Sequence, residues 1–161
     1  MTSIVPREVC IVMLTALGDA VPVLPVANAL KRHSPQTRIT WVLQPGPATL
    51  VRGHPAIDEI VLFDRARGWR AFLDYRRAMR GRRFDLVLGL QSYLKAGILT
   101  ALTPAPVRLG YDRARAQDLN WLFTTHRIPP HPRQHIQDQY FEFLAALGVP
   151  AEPVTWDLGP R

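Results

Sequence analysis

Val9-Cys-Ile-Val-Met-Leu14, then Thr15-Ala-Leu-Gly-Asp19, then Ala20-Val-Pro-Val-Leu-Pro-Val-Ala-Asn-Ala-Leu-Lys-Arg32: these three runs decide the architecture of this 161-residue chain. The first is apolar throughout and has the length of a buried strand, the second is a short turn, and the third has helical spacing. Asp19 therefore sits where a strand's carboxyl end meets a helix amino end, the rim at which open α/β sheets bind ligands. A carboxylate there can orient or deprotonate a hydroxyl. Asp is also a good helix N-cap, its charge suiting the positive end of the helix dipole. Both readings of Asp19 stand at this point.

The same alternation runs along the chain. Strands are predicted near 9–14, 38–43, 57–62, 84–89 and 107–110, and helices near 20–32, 46–53, 69–81, 93–102 and 134–147. Apolar strands alternating with helices predict an α/β fold, a Rossmann-like open parallel sheet with right-handed crossovers and helices on both faces. Pro45, Pro55, Pro104 and Pro106 punctuate element ends. The segment 112–132 has weak periodicity and reads as irregular, with a helical turn around Asn120–Phe123. Residues 1–150 read as one domain and 151–161, rich in proline, as the start of a linker.

Composition narrows the class. With 47% hydrophobic residues the chain can build one domain's core. The single cysteine, Cys10, lies in the first predicted strand and reads as a small core residue; no disulfide framework is available. No basic start followed by an apolar stretch marks a signal peptide, and no run approaches the length of a spanning helix. The expectation is a cytoplasmic protein, free or peripheral on the inner face of the cytoplasmic membrane. Charge is unevenly placed. Between Arg65 and Arg83 lie eight arginines against one acid, Asp74, so this stretch carries the whole formal net charge of +7. The remaining residues balance.

The turn Leu17-Gly18-Asp19 does not stand alone. Arg38-Ile-Thr-Trp-Val-Leu43, His54-Pro-Ala-Ile-Asp58, Phe84-Asp-Leu-Val-Leu-Gly-Leu-Gln-Ser-Tyr-Leu-Lys95, Arg108-Leu-Gly-Tyr-Asp112 and the stretch from His135 to Gly148 follow it in order. In this order and spacing the chain resembles the heptosyltransferase-like glycosyltransferases, glycosyltransferase family 9, over their amino-terminal domain. The resemblance implies the amino-terminal half of a GT-B enzyme, with the acceptor bound here and a nucleotide-sugar donor bound by a second domain beyond the linker. It implies transfer of a heptose-type sugar from an ADP-sugar to a lipopolysaccharide-core-like acceptor, with inversion. Asp19 would be the general base, and the chain alone would be inactive. Two positions depart from the family pattern: Met13 replaces a basic residue and Pro22 a histidine, which implies a different acceptor.

The remaining candidates carry a functional and a structural reading each. Thr15 could touch the acceptor or close the turn, and Gly18 permits close backbone approach. Arg65, Arg67 and Arg70 follow the third strand and could fork onto phosphate or carboxylate, as the resemblance implies; as a charge run they could equally be a solvated face. The later arginines alternate with Phe72, Tyr75 and Met79, so one helix face packs and the other could meet an anionic membrane surface. Gln91 and Lys95 follow the fourth strand, and Arg113 and Arg115 the fifth, on the same rim. Trp41 and Phe63 read as core, and Trp69 as an anchor of the basic loop. The five histidines show no metal spacing, no Asp-x-Asp pair or phosphate-cradling glycine motif occurs, and no metal or cofactor is expected. Two other functions compete. One is nucleic-acid binding, suggested by a pI near 10.5, but the charge is confined to one stretch and no nucleic-acid motif accompanies it. The other is a regulatory Rossmann-like module without catalysis.

Overall fold

Glu8–Val12 forms β1, the strand from which the sheet is built outward, and its four apolar residues are fully buried. A computed structural model describes residues 7–14, 23–45, 51, 53–90, 94–112, 124–129, 136–147 and 149; at 65, 94, 95, 136 and 137 the description is of the backbone only. Around β1 lie α1 (Leu24–His33), β2 (Arg38–Leu43), β3 (Glu59–Leu62), a 3-10 turn (Arg65–Arg67), α2 (Trp69–Met79), β4 (Leu86–Gly89), α3 (Leu94–Leu102), β5 (Val107–Gly110), β6 (His126–Arg127) and α4 (Ile136–Leu147). The six strands pair in parallel in the order β3-β2-β1-β4-β5-β6. The chain winds outward one way through β2 and β3, then crosses back to β4 beside β1. That reversal is the switch point of a doubly wound sheet.

Strand alternation divides the core in two. Val9, Ile11, Ile39, Trp41, Leu43, Leu86 and Leu88 face α1 and α4, where Leu24, Leu30, Tyr140, Phe143 and Leu147 close the layer. Cys10, Val12, Val42, Val61 and Val87 face α2 and α3, where Tyr75, Met79 and Leu99 close the other. Each fully buried large apolar side chain contributes roughly 1.5–3 kcal/mol. With both faces covered, the strands need no polar alternation.

The expected parallel sheet with helices on both faces is the one observed, with four differences in detail. Helix α1 begins at Leu24 rather than at residue 20, because Pro25 is tolerated only in a first turn, where no backbone N–H is needed. Its N-cap is Val23, with no side-chain cap hydrogen bond. The strands expected from 57 and 84 begin at Glu59 and Leu86; upstream of them Asp58 accepts from the Ile39 N–H at 2.7 Å, and Asp85 from those of Arg7 and Glu8. Strand β6 was not foreseen: it is two residues long and both are exposed. The helix expected at 46–53, the turn around Asn120–Phe123 and the linker at 151–161 lie mostly or wholly outside the described residues.

Candidate functional site

The switch point lies between β1 and β4, whose last paired residues are Val12 and Gly89. Beyond them the chain stays buried: Met13 and Leu14 follow β1, and Leu90 follows β4. Leu90 donates its N–H to the Val12 carbonyl (3.2 Å), extending the pairing one step past the strands. Three side chains from neighbouring elements pin these ends. Gln44, just after β2, donates Nε2–H to the Leu14 carbonyl at 3.2 Å. Tyr111, just after β5, donates its hydroxyl to the Leu90 carbonyl at 3.1 Å. Tyr140 of α4 donates to Met13 Sδ at 3.4 Å. Met13, 3% exposed, is therefore a core residue, and a basic side chain in its place would be taken out of water.

Segments of chain leave this rim at every strand. The segment 15–22 connects the carboxyl end of β1 to α1, and 91–93 connects β4 to α3. Neighbouring strands lie about 5 Å apart, so these two departures are one spacing apart. The departures after β3 and β5 are each two spacings from β1, about 10 Å to either side. A ligand about 20 Å long would span all four departures.

Of the residues singled out from sequence, Thr15, Gly18, Asp19, Gln91 and Arg113 lie outside the described residues. Arg65 opens the 3-10 turn and Lys95 is the second residue of α3; for both, only the backbone is described. Arg67 is exposed and forms an ion pair from Nε to Asp74 at 2.6 Å, so an anionic ligand at Arg67 would compete with that carboxylate. Arg70 is exposed, its guanidinium 5.8 Å from the centre of the Trp69 ring. The turn that carries Arg65 and Arg67 is built by Asp64, whose Oδ1 accepts the Ala66 N–H at 3.0 Å and whose carbonyl accepts that of Arg67. Trp69, expected as an anchor of the basic loop, is 68% exposed, and its ring meets Arg70. Trp41 and Phe63 are core, as read.

Sequence reasoning missed Gln44, Tyr111 and Tyr140. Tyr111 had a visible signal, an aromatic residue directly after Gly110 at the end of an apolar strand. Gly110 is required there because a methyl group in its place would collide with the Thr124 side chain. Gln44 and Tyr140 had none, since their partners are remote in sequence. At the other end of the sheet the ionisable groups are structural. Arg82 donates two hydrogen bonds to Glu59, one of them 2.7 Å from Nη1 to Oε2. That pairing lowers the Glu59 carboxyl below the usual carboxylate range and raises the guanidinium. Burial pushes the Cys10 thiol up to about 12 and also raises Tyr75, whose hydroxyl shares a short hydrogen bond with Thr103.

The comparisons with known proteins agree with this geometry. The doubly wound parallel sheet is also the fold of about half the chain of solved GT-B heptosyltransferases. An Escherichia coli heptosyltransferase, WaaC, solved with ADP-2-deoxy-2-fluoro heptose, superposes with a TM-score of 0.81 at 23% identity over 94% of this chain and 52% of its own. The family model "Glycosyltransferase family 9 (heptosyltransferase)" matches residues 72–160, more than half of the sequence, and the chain belongs to that family. It is similar to the lipopolysaccharide core heptosyltransferase OpsX of Haemophilus influenzae, 29% identical over 95% of this chain and 44% of that protein. It is also similar to lipopolysaccharide heptosyltransferase 1 of Pseudomonas aeruginosa, 27% identical over 94% of this chain and 46% of that protein. The chain spans about half the length of the curated relatives it matches.

Proposed function

We propose that this chain forms the acceptor-binding half of an inverting heptosyltransferase acting on a lipopolysaccharide-core-like acceptor. Family membership carries this reading, and the strand order supports it. Residues 1–150 would form the acceptor unit and 151–161 open a linker toward a donor-binding domain, without which the chain would not turn over. The donor is an ADP-heptose-type sugar, the chemistry bound by the superposing E. coli enzyme. The work would take place in the cytoplasm, at the membrane that carries the acceptor.

Asp19 is the general base in this reading. It lies five residues past Leu14, in the stretch that joins β1 to α1 at the rim where open α/β sheets bind ligands. A carboxylate of ordinary pKa is ionised at neutral pH and ready to accept a proton. As the acceptor hydroxyl loses its proton to Asp19, its oxygen forms the new bond at the anomeric carbon. The bond from that carbon to the diphosphate breaks on the opposite side, and ADP leaves with the electron pair. The anomeric configuration inverts. Thr15, Gly18, Gln91 and Lys95 would contact the acceptor near the switch point. Arg65, Arg67 and Arg70 on one flank, and Arg113 on the other, would meet its anionic groups.

The test is transfer from ADP-heptose to a heptose-free lipopolysaccharide core by the full natural protein. Asp19→Asn is expected to lower kcat by about 10²–10⁴ while acceptor affinity changes little. Near-normal turnover in that variant removes Asp19 as base. A wild-type protein that moves no ADP-sugar to any such acceptor sinks the whole reading.

A further inference from the structure

Helix α2 packs through Ala71, Tyr75 and Met79, which are buried at i, i+4 and i+8. The opposite face, directed away from the sheet, carries Trp69, Leu73, Arg77 and Arg80, with Arg70 and Arg76 on its flanks. Trp69 is 68% exposed and Leu73 43%. With Leu62, they are the large hydrophobic side chains exposed among the described residues. Leu62 belongs elsewhere, since strand alternation turns it to the opposite side of the sheet from Val61 and Phe63. A surface helix of such strong positive charge ordinarily directs its apolar residues inward; here two of the largest point out.

Apart from Arg70, which lies beside the Trp69 ring, the arginines on this face are uncommitted. Asp74, the acid of the stretch, is held by Arg67, and Arg82 is held by Glu59. No ion pair among the described residues engages Arg70, Arg76, Arg77 or Arg80. Nor do the later arginines serve the rim. The helix starts beside the carboxyl end of β3, and by Arg82 the chain has returned to Glu59 at that strand's start. At 1.5 Å per residue Arg80 lies about 16 Å along the axis from Trp69. Those residues are too far from the rim to grip the same sugar as Arg65.

We propose that the outward face of α2 is a docking surface for an anionic lipid bilayer, lying flat with Trp69 and Leu73 inserted at headgroup level and the arginines on lipid phosphates. Exposed tryptophan and leucine set among arginines are the two halves of interfacial binding: apolar side chains to enter the acyl boundary and cations to hold the anionic headgroups. A nucleic acid would use the cations and could stack on tryptophan, but it offers nothing to Leu73. No described helix is long and apolar enough to cross a membrane, so attachment through this helix would be at the surface. Docked this way, the amino end of α2 brings the carboxyl rim of the sheet alongside the bilayer. The proposal stands apart from the transfer reaction and can fail or hold independently of it.

Sedimentation of the full-length protein with phosphatidylglycerol vesicles tests it, with phosphatidylcholine vesicles and single-stranded RNA as competitors. Binding to the anionic vesicles alone is expected at 0.1 M salt. Each arginine near such a surface strengthens binding about fivefold, so R76A/R77A/R80A should weaken it about a hundredfold. W69S/L73S should weaken it about tenfold, a loss that persists at high salt, where the charges are screened. Arg127→Ala, off this helix, should change nothing, and unaltered melting of the exposed-site variants shows that the fold is intact. No vesicle binding, binding indifferent to W69S/L73S, or preferential capture of RNA overturns the proposal.

Discussion

The rim at β1 and β4 and the helix beside β3 differ in how their polar atoms are used. At the switch point, Gln44, Tyr111 and Tyr140 each donate a hydrogen bond to a buried chain end, and the nearby side chains are core. On α2, most of the cations reach into solvent without a partner among the described residues. The first region is a fixed platform from which loops depart. The second is a charged surface whose cations the fold mostly leaves unpaired. The contrast separates residues that hold the fold's geometry from residues that leave charge in solvent, and it can be broken by substitutions on either side.

The largest effect is expected beneath the platform. Phe143 of α4 is fully buried, with its ring edge-on to Tyr111 at 5.1 Å. Phe143→Ala should cost about 3–5 kcal/mol in urea unfolding, whereas Arg77→Ala on α2 should stay within about 0.5 kcal/mol. Comparable losses at the two sites would erase the distinction. A middle-sized effect tests the pin itself. Tyr111→Phe keeps the packing but leaves the Leu90 carbonyl short of a donor, at about 1 kcal/mol. If the pin positions the β4 loop, kcat should fall by more than stability alone explains while acceptor KM holds steady.

The smallest effect lies at the far end of the sheet. Glu59 has its folded pKa lowered by Arg82, so its contribution is present above the unfolded carboxylate pKa and fades as pH falls through the lower folded value. Both partners are over a third exposed, which limits the pair to about 1 kcal/mol at most. Glu59→Gln should therefore lower the melting temperature slightly at pH 7 and leave it unchanged near pH 2. Equal loss at both pH values would assign the effect to packing instead of charge.

How much was legible in the sequence follows from the same division. Strands β2 and β5 match their expected bounds because apolar, partly β-branched runs end at clear turn signals. Strand β1 was read two residues too long at its end, since Met13 and Leu14 remain buried after pairing stops; burial and pairing are different properties. The start of α1 was misplaced because apolar spacing continues upstream of Pro25, where proline forbids a helical interior. Strand β6 has no pattern to read, since His126 and Arg127 join the sheet only through pairing with Leu109 and Gly110. At the site, the loop-borne candidates were visible as motifs, but the platform was not. Gln44 and Tyr140 reach partners 30 and 127 positions away, and only a fold can reveal such pairs.

Cys10 sits at the middle of β1, fully buried, with its thiol pushed up to about 12. Thiolate, not thiol, attacks oxidants and alkylating agents. The sulfur therefore becomes chemically visible only when the central strand is pulled from its neighbours, an event that dismantles both cores together. With no second cysteine to compete, this one atom is a built-in clock: its rate of modification counts how often the whole sheet comes apart.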